Sequence, residues 1–197
     1  RTLWLGGTEV AMAREASQFN CSFSRIENVY DVVDAYWLLL QGCGVGFKPV
    51  TGILNGFAKE AEIKVIRSKR NSKGPEQNIA KFSEDGSSWH LTIGDSAEAW
   101  AKAVGKLLAL KTPVDKIILD FSQIRPAGDR LKGYGWISAG DAEFCAALQE
   151  ICKILNKRAG KLLTAIDILD VMNWLGKTLS SRRAAEIAEM DSAEPEA

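Results

Sequence analysis

Trp89-His90-Leu91-Thr92-Ile93 alternates apolar and polar residues, and Ile117-Ile118-Leu119 is a short apolar run between polar flanks. The first pattern is that of a half-buried strand. The second is that of a strand covered on both faces. Between them Ala97, Trp100, Ala101, Val104, Leu107 and Leu108 recur at helical spacing. Asp95 precedes this stripe with Glu98 three residues on, a capping-box pair. Strand, helix and strand over residues 89–121 predict a βαβ unit, and with it an α/β fold.

Upstream, Val29, Val32, Val33, Tyr36, Trp37 and Leu40 predict a helix over residues 29–41, with Asn28 as N-cap and Asp31 in its first turn. The helix runs into Gly42-Cys43-Gly44-Val45-Gly46, read as a tight turn, with Pro49 just beyond. Residues 61–67 read as a strand, and the polar stretch 68–88 as a loop. Downstream, Ser122 to Gly140 is long and glycine-rich, a length that is usually functional or disordered. Asp141 then opens a helix carrying Phe144, Leu148, Ile151, Cys152 and Leu155, which Gly160 ends. Thr164 and Asp167 cap a further helix, and Ser180-Ser181-Arg182-Arg183 forms a polar loop after it.

The 197 residues suffice for one domain with a sizeable core. Hydrophobic residues make up 46% and charged residues 25%, which excludes disordered and collagen-like classes. Lys plus Arg and Asp plus Glu both count 25, so no global basic field draws the chain to nucleic acid. Apolar runs are too short to cross a bilayer. The single histidine, His90, excludes a multi-histidine metal site, and no metal site is expected. Four cysteines without a C-x-x-C pair suit the reduced cytoplasm. The start at Arg1 without Met, and the stop after an acidic run, fit a piece of a longer protein.

Several residues could carry chemistry. Gly42, Gly44 and Gly46 let a backbone approach a ligand closely, or simply make a tight connection. They follow a helix rather than a strand, which argues against a dinucleotide fingerprint. Cys21 lies among Gln18, Asn20, Ser22 and Ser24, where a thiol can be nucleophilic or redox-active, or a small buried hydrophobe. Cys145 and Cys152 share a helix face with Leu148 and Ile151 and read as core. Lys64, Arg67, Lys69, Arg70 and Lys73 form a local basic stretch; without interleaved aromatics it reads as a solvated loop rather than a nucleic-acid site. Arg125, Arg130 and Lys132 flank the glycine-rich stretch and, with Arg182 and Arg183, suit a phosphorylated ligand.

Four blocks together carry a resemblance. Phe19-Asn20-Cys21-Ser22-Phe23, Leu38 to Phe47, Leu119-Asp120-Phe121-Ser122-Gln123-Ile124-Arg125-Pro126 with Gly128, and Ser180 to Ile187 resemble the large catalytic chain of ribonucleotide reductases, in order and spacing. The details are most similar to the adenosylcobalamin-dependent class, and within it to the monomeric ribonucleoside-triphosphate reductases. The resemblance implies a ten-stranded α/β barrel, of which residues 1–197 supply roughly the first half as one partial domain. Residues 61–95 would be an inserted strand and loop region near the effector site, with no separate second domain.

The same resemblance assigns roles. Cys21 matches the cysteine beside the ribose 2′ carbon, which supplies reducing equivalents and ends in a disulfide with a cysteine further along. Thr2, Asn20, Gly42 and Gly44 match substrate-contacting positions. Ser180, Ser181, Arg182, Arg183 and Ala184 match the loop that relays allosteric specificity, although Ser180-Ser181 stands where many members carry glycine. Glu27 to Tyr30 and the stretch near Arg67 lie near the effector site of such proteins. The implied reaction is reduction of ribonucleoside triphosphates, or diphosphates as the second choice, to deoxynucleotides for DNA synthesis. The implied cofactor is adenosylcobalamin, held mostly outside this chain. The implied partners are a ribonucleotide substrate, a deoxynucleotide effector, a thioredoxin-type reductant and the remainder of the reductase, with no nucleic acid and no membrane. The radical cysteine and the terminal cysteine pair have no match here, so the isolated chain is expected to be inactive. The alternative is a non-catalytic nucleotide-binding half-barrel.

Overall fold

The structure is a computed structural model that describes residues 21–68, 70–131, 137–178 and 187–189. The elements in chain order are β1 (Cys21–Ile26), α1 (Val29–Gln41), β2 (Gly44–Pro49), β3 (Glu62–Ile66), β4 (Ile79–Phe82), β5 (Ser88–Thr92), α2 (Ala97–Leu108), β6 (Lys116–Asp120), α3 (Ala142–Lys157), α4 (Ala165–Gly176) and β7 (Ile187–Glu189). They form two sheets. The first has the order β1-β2-β7, all parallel. The second has the order β3-β6-β5-β4, parallel except for β4, which is antiparallel to β5.

Helix α1 begins and ends where its sequence requires. The Asn28 side chain accepts from the Tyr30 and Asp31 amides, and Asp31 accepts from the Asn28 amide in return, closing a capping box. At the other end Gly42 takes φ 86°, a left-handed conformation that glycine adopts without Cβ strain. Its N–H donates to Leu39 O, and the Cys43 N–H donates to Leu38 O, satisfying carbonyls that the helix leaves open. Val32, Ala35, Tyr36 and Leu39 face the core. Helix α4 repeats the device with Thr164 and Asp167, as its sequence predicts.

The βαβ expectation holds: β5 and β6 are parallel, in register from Ser88↔Lys116 to Thr92↔Asp120, with α2 between them. One face of the second sheet carries the row Ile63-Ile117-Trp89-Phe82, and the other carries Lys64-Ile118-His90-Lys81. Ile117, Leu119, Trp89 and Leu91 are buried, while Ile118 and His90 are only half-buried. The strand Ile117-Ile118-Leu119 is thus covered fully on one face, not on both. An aromatic cluster joins the two sheets. Phe144 of α3 stacks on Trp100 of α2 at 4.4 Å, meets Phe121 edge-on at 5.9 Å, and stacks on Tyr36 of α1 at 6.1 Å.

Three local expectations change. Gly44 to Gly46 belong to strand β2 rather than to a turn, because Gly42 alone reverses the chain. Residues 68–88 contain a strand, Ile79–Phe82, paired with β5 through a tight Asp85-Gly86 turn. Asp85 accepts from the hydroxyls and an amide of Ser83 and Ser87, which hold its carboxyl down at about 2. The cap of α2 is Ser96, whose Oγ accepts from the Ala99 N–H; the Asp95 carboxylate is engaged by Arg125 instead.

Candidate functional site

Strand alternation decides which side chains of the first sheet share a face. On β1, Ile26 is buried and Ser22 and Ser24 are half-buried, while Cys21, Phe23 and Arg25 are exposed. On β2, Val45 and Phe47 are buried. The register pairs Cys21 with Gly44 and Phe23 with Gly46. The exposed Cys21 thiol therefore stands beside a residue with no side chain, on the face turned away from the buried row. Gly42 lies two residues before Gly44 at the same end. The backbone pairing Val45↔Ile187 brings the start of β7 to that end too.

This geometry brings Cys21, Gly42 and Gly44 together. A thiol flanked by bare backbone can be approached by a bulky ligand without displacing a side chain. Thr2, Asn20, Ser180, Ser181, Arg182, Arg183 and Ala184 lie outside the described residues. The other cysteines sit elsewhere: Cys43 and Cys152 are buried in the core, and Cys145 is buried on α3. Burial pushes the thiols of Cys145 and Cys152 up, away from the reactive thiolate.

The basic stretch is largely engaged within the fold. Arg67 binds Asp141 through two parallel contacts of 2.7 and 3.0 Å, which raises the guanidinium further. Asp141 thus ties α3 to the end of β3 rather than capping the helix with its side chain. Arg70 donates to Gln123 at 2.8 Å, and Lys73 pairs with Glu76. Lys69 is outside the described residues. Near the start of α1, Glu27 pairs with Arg25 at 2.8 Å, and Tyr30 stands exposed.

Arg125 is buried against Asp95, its Nε 3.1 and 3.0 Å from the two carboxylate oxygens. Asp95 also accepts from the Gly74 N–H, so three loops meet at this carboxylate. Beside it Arg130 lines a cleft of about 910 Å³ together with Lys102 and Lys106 of α2. The two lysines escaped sequence reasoning because they look like any solvated helix face. Their spacing of four residues was the available signal.

Residues 66–155 match the family model of the B12-dependent ribonucleotide reductase insertion domain. Over these residues the chain is similar to the B12-dependent ribonucleotide reductases. It is 29% identical to an adenosylcobalamin-dependent ribonucleoside-triphosphate reductase of Lactobacillus gasseri, over 95% of this chain and 31% of the relative. The reductase of the same description from Lactobacillus helveticus gives the same identity and shares. A probable enzyme of that type from Dictyostelium discoideum is 37% identical over 49% of this chain and 13% of its own length. The chain thus spans about a third of the length of the Lactobacillus relatives. A crystal structure of a B12-dependent, class II ribonucleotide reductase superposes with a TM-score of 0.68 at 23% identity, covering 95% of this chain and 30% of that one. The α/β expectation holds, and the fold follows that of a class II reductase.

Proposed function

We propose that this chain is part of the catalytic chain of an adenosylcobalamin-dependent ribonucleotide reductase, and that Cys21 is one of the two thiols that reduce the ribose. The observation that carries the reading is the exposed Cys21 thiol in register with Gly44, in a fold shared with a class II reductase. The substrate is a ribonucleoside triphosphate, with a diphosphate as second choice. The first sheet, β1-β2-β7, is an arc of the ten-stranded barrel. The inserted region extends past residue 95 through β6 into α3, a reading supported by the second sheet and by the 66–155 match.

In the reductive step the 2′-hydroxyl leaves as water. Two thiols give up two electrons and two protons in total and close into a disulfide. Cys21 supplies one thiol. Cys43, Cys145 and Cys152 are buried, so the second thiol comes from the remainder of the reductase. A thioredoxin-type dithiol then reopens the disulfide. Gly42 and Gly44 give the substrate backbone to rest on, and Asn20 and Thr2 are further substrate contacts. Ser180 to Ala184 precede β7 and relay a deoxynucleotide effector bound near Glu27 to Tyr30. Four unbridged cysteines suit a cytoplasmic setting.

Adenosylcobalamin supplies the radical that opens the reaction. Its contacts fall mostly outside this chain. Among the described residues no His, Cys, Asp or Glu cluster could hold a metal ion. The 910 Å³ cleft is walled mainly by charged and polar side chains, which suits the broad faces of a corrin poorly. The test is incubation of the complete protein with a ribonucleoside triphosphate, the cofactor and a dithiol. A 2′-deoxyribonucleotide product supports the reading. Nucleotide binding without product favours the non-catalytic half-barrel.

A further inference from the structure

Strand β1 is patterned the wrong way round for a strand that only fills a core. Its buried side carries Ser22 and Ser24 ahead of Ile26, while Phe23 stands on the open side, 53% exposed. Core-building alternation would put the phenylalanine inside and the serines outside. The inversion has a cost: Ser22 Oγ is buried without a hydrogen-bond partner among the described residues. Such conflicts between local pattern and fold concentrate at functional positions.

The open face of the first sheet is built in tiers. Cys21 is in register with Gly44, Phe23 with Gly46, and Arg25 with Lys48. Arg25 turns to Glu27 at 2.8 Å. The thiol and the ring thus share a floor of bare glycine backbone, and the charged tier follows at the carboxyl end of both strands. Two residues along a strand span about 6.6 Å, and neighbouring strands lie about 4.8 Å apart. A sugar ring that meets the Cys21 sulfur over Gly44 therefore reaches the Phe23 ring, with no side chain of β2 between them.

We propose that Phe23 is a wall of the substrate site: its ring packs against the C–H edge of the ribose and holds the 2′ carbon at the Cys21 thiol. The inference rests on the reductase reading of Cys21 and adds a residue to it. An apolar wall suits this place, because it limits where the sugar can sit without offering a proton or a competing hydrogen bond. Small misplacements of a reacting atom are expensive, so a rigid ring beside the thiol acts on rate as well as on binding.

The test uses the complete reductase, and its first readout needs no turnover. Cys21 is alkylated with iodoacetamide, located by peptide mapping, with and without a ribonucleoside triphosphate. The nucleotide is expected to protect Cys21 in the wild type. In Phe23→Ala the nucleotide concentration that half-protects should rise about fivefold or more. At saturating nucleotide, with adenosylcobalamin and dithiol, kcat should fall about tenfold or more. Phe23→Leu keeps an apolar wall and should recover most of both losses. Phe23 is exposed, so the melting temperature should stay within a few degrees. Equal half-protection in wild type and Phe23→Ala overturns the wall and leaves the Cys21 site standing. Absence of protection in the wild type overturns the site itself, and the wall with it. A large fall in melting temperature in Phe23→Ala, without recovery of protection in Phe23→Leu, makes the ring a cover for Gly46 and overturns the proposal.

Discussion

The Tyr36 hydroxyl lies 2.7 Å from Thr178 Oγ1, with both side chains buried, and joins α1 to the chain just beyond α4. Thr178 gives its own proton to Leu175 O, so Tyr36 is the donor in the pair. Removing the acceptor strands a buried hydroxyl, whereas removing the donor does not. Thr178→Val should cost about 1–3 kcal/mol and Tyr36→Phe about 0.5–1.5 kcal/mol, read by urea denaturation. Burial pushes the Tyr36 ionisation up. Its contribution is whole below the ordinary tyrosine range, near about 10, and is lost above it.

Helices α1 and α2 cross so closely that a Cβ on Gly105 would stand 2.6 Å from Val33 Cγ2. Glycine costs a helix interior about 1 kcal/mol relative to alanine, so Gly105→Ala would stabilise an open site. Here overpacking of about 1–3 kcal/mol opposes that gain. Gly105→Ala should be destabilising by up to about 2 kcal/mol. Adding Val33→Ala should recover part of the loss, and strict additivity in denaturation would contradict the contact.

Acid should loosen the joint between α3 and α4. Burial raises the Asp167 carboxyl, but hydrogen bonds from Thr164 and the charge of Arg158, 2.7 Å away, outweigh it and hold the carboxyl below its usual range. Asp120 is lowered likewise: Ser122 and His90 outweigh its burial. Groups lowered in the fold stabilise it above their unfolded values, near about 4, and lose this as pH falls through the folded ones. Thermal stability should therefore drop below about pH 4, and less steeply in Asp167→Asn. An equal acid slope in that variant would remove Asp167 from the account.

How far these features could be read from sequence varies with their range. The caps of α1 and α4 are local hydrogen bonds, so Asn28, Asp31, Thr164 and Asp167 announced them. The βαβ unit was legible because period and length agree over residues 89–121. Strand β4 was not, although Asp85-Gly86 between Ile79–Phe82 and Ser88–Thr92 is a hairpin signal. All four of its residues are exposed, so the strand has no buried row to betray it. Asp95 misled for another reason: Arg125, thirty residues on, claimed the carboxylate and left the cap to Ser96. The Cys21–Gly44 pairing needed the register, which no local pattern contains.

Gly44 offers a test of the site that leaves the thiol in place. Its register position opposite Cys21 is on the open face, so Gly44→Val adds a branched side chain there without entering the core. The complete reductase carrying it should keep its melting temperature within a few degrees and lose about tenfold or more in kcat/KM. Undiminished kcat/KM would move the substrate away from this end of the sheet.

The most direct measurement is steady-state formation of 2′-deoxyribonucleotide by the complete reductase carrying Cys21→Ser, with ribonucleoside triphosphate, adenosylcobalamin and excess dithiol. Cys21 is exposed, so the variant folds. The account predicts that multiple turnovers are abolished while substrate binding persists. Undiminished steady-state turnover would contradict it and remove Cys21 from the chemistry.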